Sequence, residues 1–216
     1  LTSQRVIVHG RQDLLGVFGS KGVHLMTPEE RKQPVKLEDF FVDVGLPVDR
    51  VRELVRVGDV ITRERELARL GDLVTGKSLD NRAGLYVMIE AMRALGDTSC
   101  ELVAVASVQE EVGLRGARVA AQRIRPDIAL AIDTTLANDG PDAKPHERVT
   151  TMGGGAAIKV CDSSALVPRR MVDHLERVAR DRDIAHQLEV LPMGGTDTRE
   201  LQLGGDEARV IEIEVP

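Results

Sequence analysis

The stretch from Leu102 to Gly116 limits what this chain can fold into more tightly than any other. A run of small and branched apolar residues (Leu102, Val103, Ala104, Val105, Ala106) predicts a buried strand reaching Val108. The run leads to two adjacent carboxylates, Glu110 and Glu111. Gly113 and Gly116 then bracket a sharp change of direction into a small-residue segment, Ala117 to Ala121, with helical character. Acids are rarely buried unless they are paired or bound to a metal. Two of them at a strand's end, where open α/β sheets keep their ligands, are costly without a cation nearby. The question for the rest of the chain is whether it supplies that cation's other ligands.

With 216 residues there is material for one large domain or two unequal ones. Three Phe, one Tyr and no Trp mean that the core must be built from Val, Leu, Ile and Ala. A net charge of −6 argues against a nucleic-acid-binding surface. No apolar run approaches the roughly 20 residues of a membrane helix, so no membrane partner is expected. Cys100 and Cys161 are too few for a disulfide framework and fit free thiols in a reducing, cytoplasmic setting. The chain starts at Leu1 in strand-like sequence and stops at Pro216 straight after a strand, so both ends are expected to be cut.

Residues 1–62 read as a small β-barrel or sandwich module. Short β-type runs at Arg5–Gly10, Leu15–Gly19, Phe40–Val44 and Val57–Ile61 alternate with Gly and polar turns, and a short helix is expected over Pro47–Val55. From 63 to 216 the pattern becomes α/β. Helices are expected over Asp80–Leu95, apolar on most sides and capped by Asp80, and over Pro168–Arg182. Strands are expected at Leu102–Val108, Ile128–Asp133, Ala156–Val160, Gln187–Leu191 and Arg209–Val215. The fold class is α/β: a mixed sheet with helices on both faces, plus the small β-barrel domain. The glycine run at 153–155 lacks the lysine and hydroxyl of a nucleotide loop.

Three acids stand at corresponding places: Asp80 at a helix start, Glu111 past one strand, and Asp133 at the end of another. Carboxylates converging at the carboxyl ends of strands repel one another unless a cation intervenes. A pair of divalent ions bridged by one carboxylate answers that repulsion and leaves the second acid of the Glu110–Glu111 pair free to take a proton from water. Each acid also has a plain reading alone: Asp80 as a helix cap, Asp133 as the start of a turn, and Glu110 and Glu111 as solvated ends. Spacing leaves both readings open.

Four ordered blocks narrow the choice: Lys77-Ser-Leu-Asp-Asn-Arg-Ala-Gly84, Gln109-Glu-Glu-Val-Gly-Leu-Arg-Gly-Ala117, Ala131-Ile-Asp133 and Gly194-Gly-Thr-Asp-Thr198. Together they resemble the signature of the M42 metallo-aminopeptidases, and the similarity extends to Gly22–Leu25 and Val42–Gly45. The resemblance implies that Asp80 bridges two metals, zinc or cobalt, with a cis peptide between Asp80 and Asn81. It implies Glu110 as general base and later acid, Glu111 as ligand to one metal and Asp133 as ligand to the other. It further implies peptide substrates cut at the amino end, and homo-oligomers from dimers to hollow dodecamers. Thr196 and Asp197 would lie near the substrate, with no chemistry assigned to them.

The sequence departs from that pattern in one respect: the family's two histidine ligands have no counterpart. His9 and His24 fall in the first module, His146 in a charged loop, His174 on a helix and His186 at a strand start. The expectation is an internal stretch of a longer enzyme, inactive alone and weak in binding metal, because zinc favours nitrogen and sulfur donors. Rival readings are another di-metal amidohydrolase (a deacylase or carboxypeptidase) and a non-catalytic protein. A glycosidase using Glu110 and Glu111 is disfavoured, since neighbours on an extended chain point to opposite faces.

Overall fold

The computed structural model describes residues 3–204 and 209–216. Contacts divide the chain into two units, Leu1–Lys77 and Ser78–Pro216.

In the first unit, β1 (Arg5–His9), β2 (Asp13–Gly19), β3 (Phe41–Asp43) and β4 (Val60–Arg63) form an antiparallel sheet in the order β3-β2-β1-β4. Alternation turns Val6, Val8 and Leu14 inward as a small aliphatic core. Helix α1 (Val48–Leu54) approaches the β1–β2 turn so closely that a Cβ on Gly10 would meet Leu54 O at 2.2 Å. A two-stranded hairpin follows, β5 (Ala68–Leu70) with β6 (Leu73–Thr75), which the sequence pattern did not reveal. The expected barrel is not formed among the described residues: β3 and β4 are the two edges of an open sheet and do not pair with each other. The expected division after residue 62 also shifts. β4 spans that point and is laddered to β1, so the strand belongs whole to the first unit.

The second unit is built on a mixed sheet of β7 (Ile128–Thr134), β10 (Arg209–Val215), β8 (Ala156–Cys161) and β9 (His186–Val190), in that order. β10 runs parallel to β7 and antiparallel to β8, and β8 runs parallel to β9. Helix α4 (Arg169–Asp181) covers one face, where its Val172 joins Ile158, Val167 and Ile211 in a compact core. Side chains alternate along a strand, so Lys159 and Glu212 point to the opposite face. There Thr198, which opens α5 (Thr198–Leu203), hydrogen-bonds Glu212. Helix α2 (Leu79–Ala94) packs on β7 and β10, and α3 (Arg115–Ile124) packs on α5. The sheet therefore carries helices on both faces.

Two expectations fail here. Residues 101–110 adopt neither strand nor helix, and no backbone hydrogen bond among the described residues ties 101–107 to a neighbour. An apolar run reads as a strand only where a partner offers a ladder, and none is formed here among the described residues; Val103 is 53% exposed and Val108 67%. Helix α2 is likewise less buried than its composition suggests. Only Gly84 is fully buried, while Tyr86 and Ile89 remain exposed. No described helix is long and apolar enough to cross a membrane, and both cysteines are free.

Candidate active site

The start of α2 is kinked. Asp80 and Asn81 have non-helical backbone angles, and the peptide between them is cis. Asp80 is not the cap that the sequence suggested. Asn81 Oδ1 instead accepts the Gly84 N–H at 3.0 Å, while Asn81 Nδ2 donates to Ile132 O at 2.9 Å. One amide thus caps the helix and staples it to the end of β7, beside Asp133. The approach is close: a Cβ on Gly84 would stand 2.7 Å from Ile132 O. The Asp80 carboxylate is left exposed and uncommitted to the helix.

Glu110 and Glu111 occupy a tightly wound turn rather than a strand end. Gly113 N and Leu114 N both donate to Glu110 O, at 3.0 and 2.9 Å, and Gly116 N donates to Val108 O at 2.9 Å. Gly113 has φ +117°, which a side chain resists, and a Cβ on Gly116 would stand 2.5 Å from the Val108 backbone. These two glycines let the chain fold back sharply enough to present both acids. Asp133 is buried at the end of β7, and its Oδ1 accepts the Thr134 N–H at 2.7 Å.

Electrostatics links these elements. Burial pushes the Glu110 carboxyl up to about 7, aided by the charges of Asp133, Asp197, Glu111 and Asp80. Burial likewise lifts Asp133 to about 7 against the Thr134 N–H, with Asp80, Glu212 and Glu214 adding to the rise. Carboxylates from three separate segments therefore feel one another. They do not close into a ligand set: among the described residues no three His, Cys, Asp or Glu side chains form a group that could hold a metal ion.

The residues fit the oxygen side of a divalent-cation centre. Asp80, Glu111 and Asp133 are hard oxygen donors, and the raised Glu110 and Asp133 carry the kind of repulsion that a cation relieves. Four of the five imidazoles have contacts of their own. His9 is bonded to Asp13 and Thr62, His174 to Arg177 and His186 to Ile184 O, while His146 lies beside Glu147.

An open groove of about 400 Å³ runs past Glu110 and Glu111, with Ser163, Ser164, Gly195 and Arg199 also lining it. A larger hollow in the first unit, about 540 Å³ between Arg5 and Glu64–Glu66, holds no acid cluster; its Arg5 and Glu64 pair with each other at 2.6 Å. Two features went unread in the sequence. Ser107 Oγ donates to Asp197 Oδ2, joining the acid-bearing segment to the Gly-Gly-Thr-Asp loop. Beneath that loop, Lys159 Nζ is fully buried within 3.6 Å of Asp162 (3.5 Å), Glu189 (3.6 Å) and Glu212 (3.4 Å), and contacts Glu214. Burial alone would pull Lys159 down, but Glu212, Glu214 and Glu189 hold it above its ordinary value. The signal was present in the alternation of Glu212 and Glu214 with isoleucines, yet that alternation reads equally well as a solvated face.

A family model described as M42 glutamyl aminopeptidase matches residues 1–216. A relative from Acetivibrio thermocellus is 38% identical over 203 residues, which is 93% of this chain and 60% of that protein. The structure of aminopeptidase APDkam598 from the archaeon Desulfurococcus kamchatkensis superposes with a TM-score of 0.93 at 35% identity, covering 100% of this chain and 61% of that one. A TET1 peptidase of Pyrococcus horikoshii, described as assembling into a tetrahedron or a large octahedral shell, gives 0.82 at 30%, covering 100% of this chain and 64% of that one. The chain thus spans about 60% of the length of these relatives.

Proposed function

The chain belongs to the M42 glutamyl aminopeptidase family, and from that premise we propose that it carries the acid-base half of an aminopeptidase that removes the amino-terminal residue of peptides. The observation that carries the reading is that the charges of Asp80, Glu111 and Asp133, from a helix start, a wound turn and a strand end, all reach Glu110. Asp80 would be shared between two divalent cations, zinc or cobalt, with Glu111 completing the hold on one and Asp133 on the other. When bound, such cations polarise the scissile carbonyl and lower the pKa of the attacking water. Glu110 would take the proton from that water and return it to the departing amine. The groove beside it, with the Ser163 and Ser164 hydroxyls and the Arg199 guanidinium, receives the peptide.

The first unit, whose open sheet has two free edges, would serve oligomer contacts, and a homo-oligomeric shell is the expected assembly. A cytoplasmic setting accords with the two free thiols. A second reading has one observation in its favour. None of the five histidines falls in the four blocks that resemble the family signature, so this stretch by itself would bind metal weakly and be catalytically silent. Assaying the full-length protein with aminoacyl-chromophore and N-acetylated substrates, with added zinc or cobalt, tests the main reading. Cleavage of the free-amine substrate alone supports it; preference for the acetylated one favours a deacylase and overturns it.

A further inference from the structure

We propose that Asp197 is a positioning residue for Glu110, acting through Ser107 and anchored from beneath by the buried Glu212–Lys159 pair. This inference rests on the aminopeptidase reading for its link to turnover, though not for its geometry. The approach to Glu110, residues 101–107, is neither strand nor helix among the described residues. Its side-chain tie is the hydrogen bond from Ser107 Oγ to Asp197 Oδ2, three residues ahead of Glu110. Beyond Glu110 the chain is held by the Gly113 and Leu114 bonds to its carbonyl. Val108 O and Gln109 O, just before Glu110, accept from Gly116 N and Arg115 N at 2.9 and 3.2 Å, so the turn closes around Glu110 and the Ser107–Asp197 bond ties that turn to the Gly-Gly-Thr-Asp loop. Asp197 also lies near enough to Glu110 for its charge to be felt there.

A support is useful only if it is itself fixed. Asp197 sits between Thr196 and Thr198, both buried, and Thr198 Oγ1 donates to Glu212 Oε2 at 2.8 Å. Glu212 is wholly buried on β10 and faces Lys159 Nζ at 3.4 Å. The loop is thereby bolted to the central strands of the sheet, which are the least mobile part of a unit of this kind. The path from sheet to base runs Lys159, Glu212, Thr198, Asp197, Ser107, Glu110. Each step is a contact between named atoms or a covalent neighbour, except the last, which runs along the backbone through Val108 and Gln109. Holding a base to a fraction of an ångström is worth this construction, because about 1 Å of misplacement costs on the order of 100-fold in rate.

The test uses the full-length protein and the variants Ser107→Ala, Ser107→Thr, Asp197→Ala, Asp197→Asn and the double Ser107→Ala/Asp197→Ala. Positioning predicts that Ser107→Ala and Asp197→Ala each lower kcat by about 10- to 100-fold, leave KM within about twofold and leave metal content unaltered. The double variant falls no further than either single, as expected of two residues forming one tie. Ser107→Thr, which keeps a hydroxyl, and Asp197→Asn, which keeps an acceptor oxygen, recover most of the loss. Amide hydrogen exchange at Gly113, Leu114 and Gly116, whose N–H groups close the turn around Glu110, measured without added metal, speeds up in the alanine variants and not in the conservative ones. Additive losses, losses confined to KM, or exchange unchanged in Ser107→Ala would each overturn the proposal. If the unmodified protein cleaves no aminoacyl substrate, the aminopeptidase reading fails instead, and the exchange comparison still decides whether the tie exists.

Discussion

Replacing Lys159 by methionine is the most informative single perturbation of this fold. Methionine keeps much of the length of the side chain and removes its charge. In the native protein Lys159 Nζ lies among Asp162, Glu189, Glu212 and Glu214, whose side chains are at most 1% exposed. Without the ammonium, a further carboxyl in the cluster must hold a proton, because an uncompensated buried charge costs more than a proton does. For a carboxyl with an ordinary value of 4.5, taking up a proton at pH 7 costs about 3 kcal/mol, and at pH 5 under about 1 kcal/mol. The first figure falls in the range of about 3 to 5 kcal/mol for removing one partner of a buried ion pair. The sign follows from the same groups. Burial raises Glu212 and Glu214 to about 7 against the pull of Lys159. Their contribution to stability is fully present below about 4.5 and is lost as pH rises through about 7. Urea unfolding followed by far-UV circular dichroism at pH 5 and pH 7 measures both effects. A Lys159→Met loss that is the same at the two pH values, or below about 1 kcal/mol at pH 7, would refute the charge argument and leave lysine as mere packing.

Other outcomes follow from the site. Glu110→Gln in the full-length protein should abolish turnover with metal content intact, whereas Asp80→Ala should lose metal as well; elemental analysis beside a chromogenic assay separates the two. Gly84→Ala forces a Cβ against Ile132 O at 2.7 Å and Asn81 Oδ1 at 2.2 Å, so α2 must back away from β7. A loss of about 1 to 3 kcal/mol is expected, read as a lower urea midpoint. The 216-residue stretch alone should bind zinc or cobalt weakly in equilibrium dialysis, and two tight sites would contradict the ligand account given above.

Much of the second unit was legible. Strands β7, β8 and β10 and helix α4 fall where apolar runs and helical spacing put them, because each buries its pattern against a partner within the chain. The failures share a cause. Residues 102–108 have strand composition but no ladder, and α2 has apolar residues on sides that nothing described covers. Composition records what a segment can bury and says nothing of whether a neighbour is there to bury it. The strand Arg209–Val215 shows a different limit. Alternating Glu and Ile fixes two faces, and only the presence of Lys159 on β8 decides that the glutamate face is an inner one. In the first unit, short strands at close spacing suggested a barrel, but closure depends on pairing of the end strands, which local sequence does not encode.

The small amide at position 81 has a practical consequence for dissecting this protein. Acidic residues at helix starts are ordinarily awkward to mutate, since removing one erases a ligand and unpicks the first turn together. Here those duties lie on adjacent side chains: Asn81 bonds Gly84 and Ile132, while Asp80 is free of both. If Asp80 holds the ion as proposed, chemistry and architecture can be altered independently at neighbouring codons, with Asp80 variants reporting on ion affinity and Asn81 variants reporting on the scaffold itself.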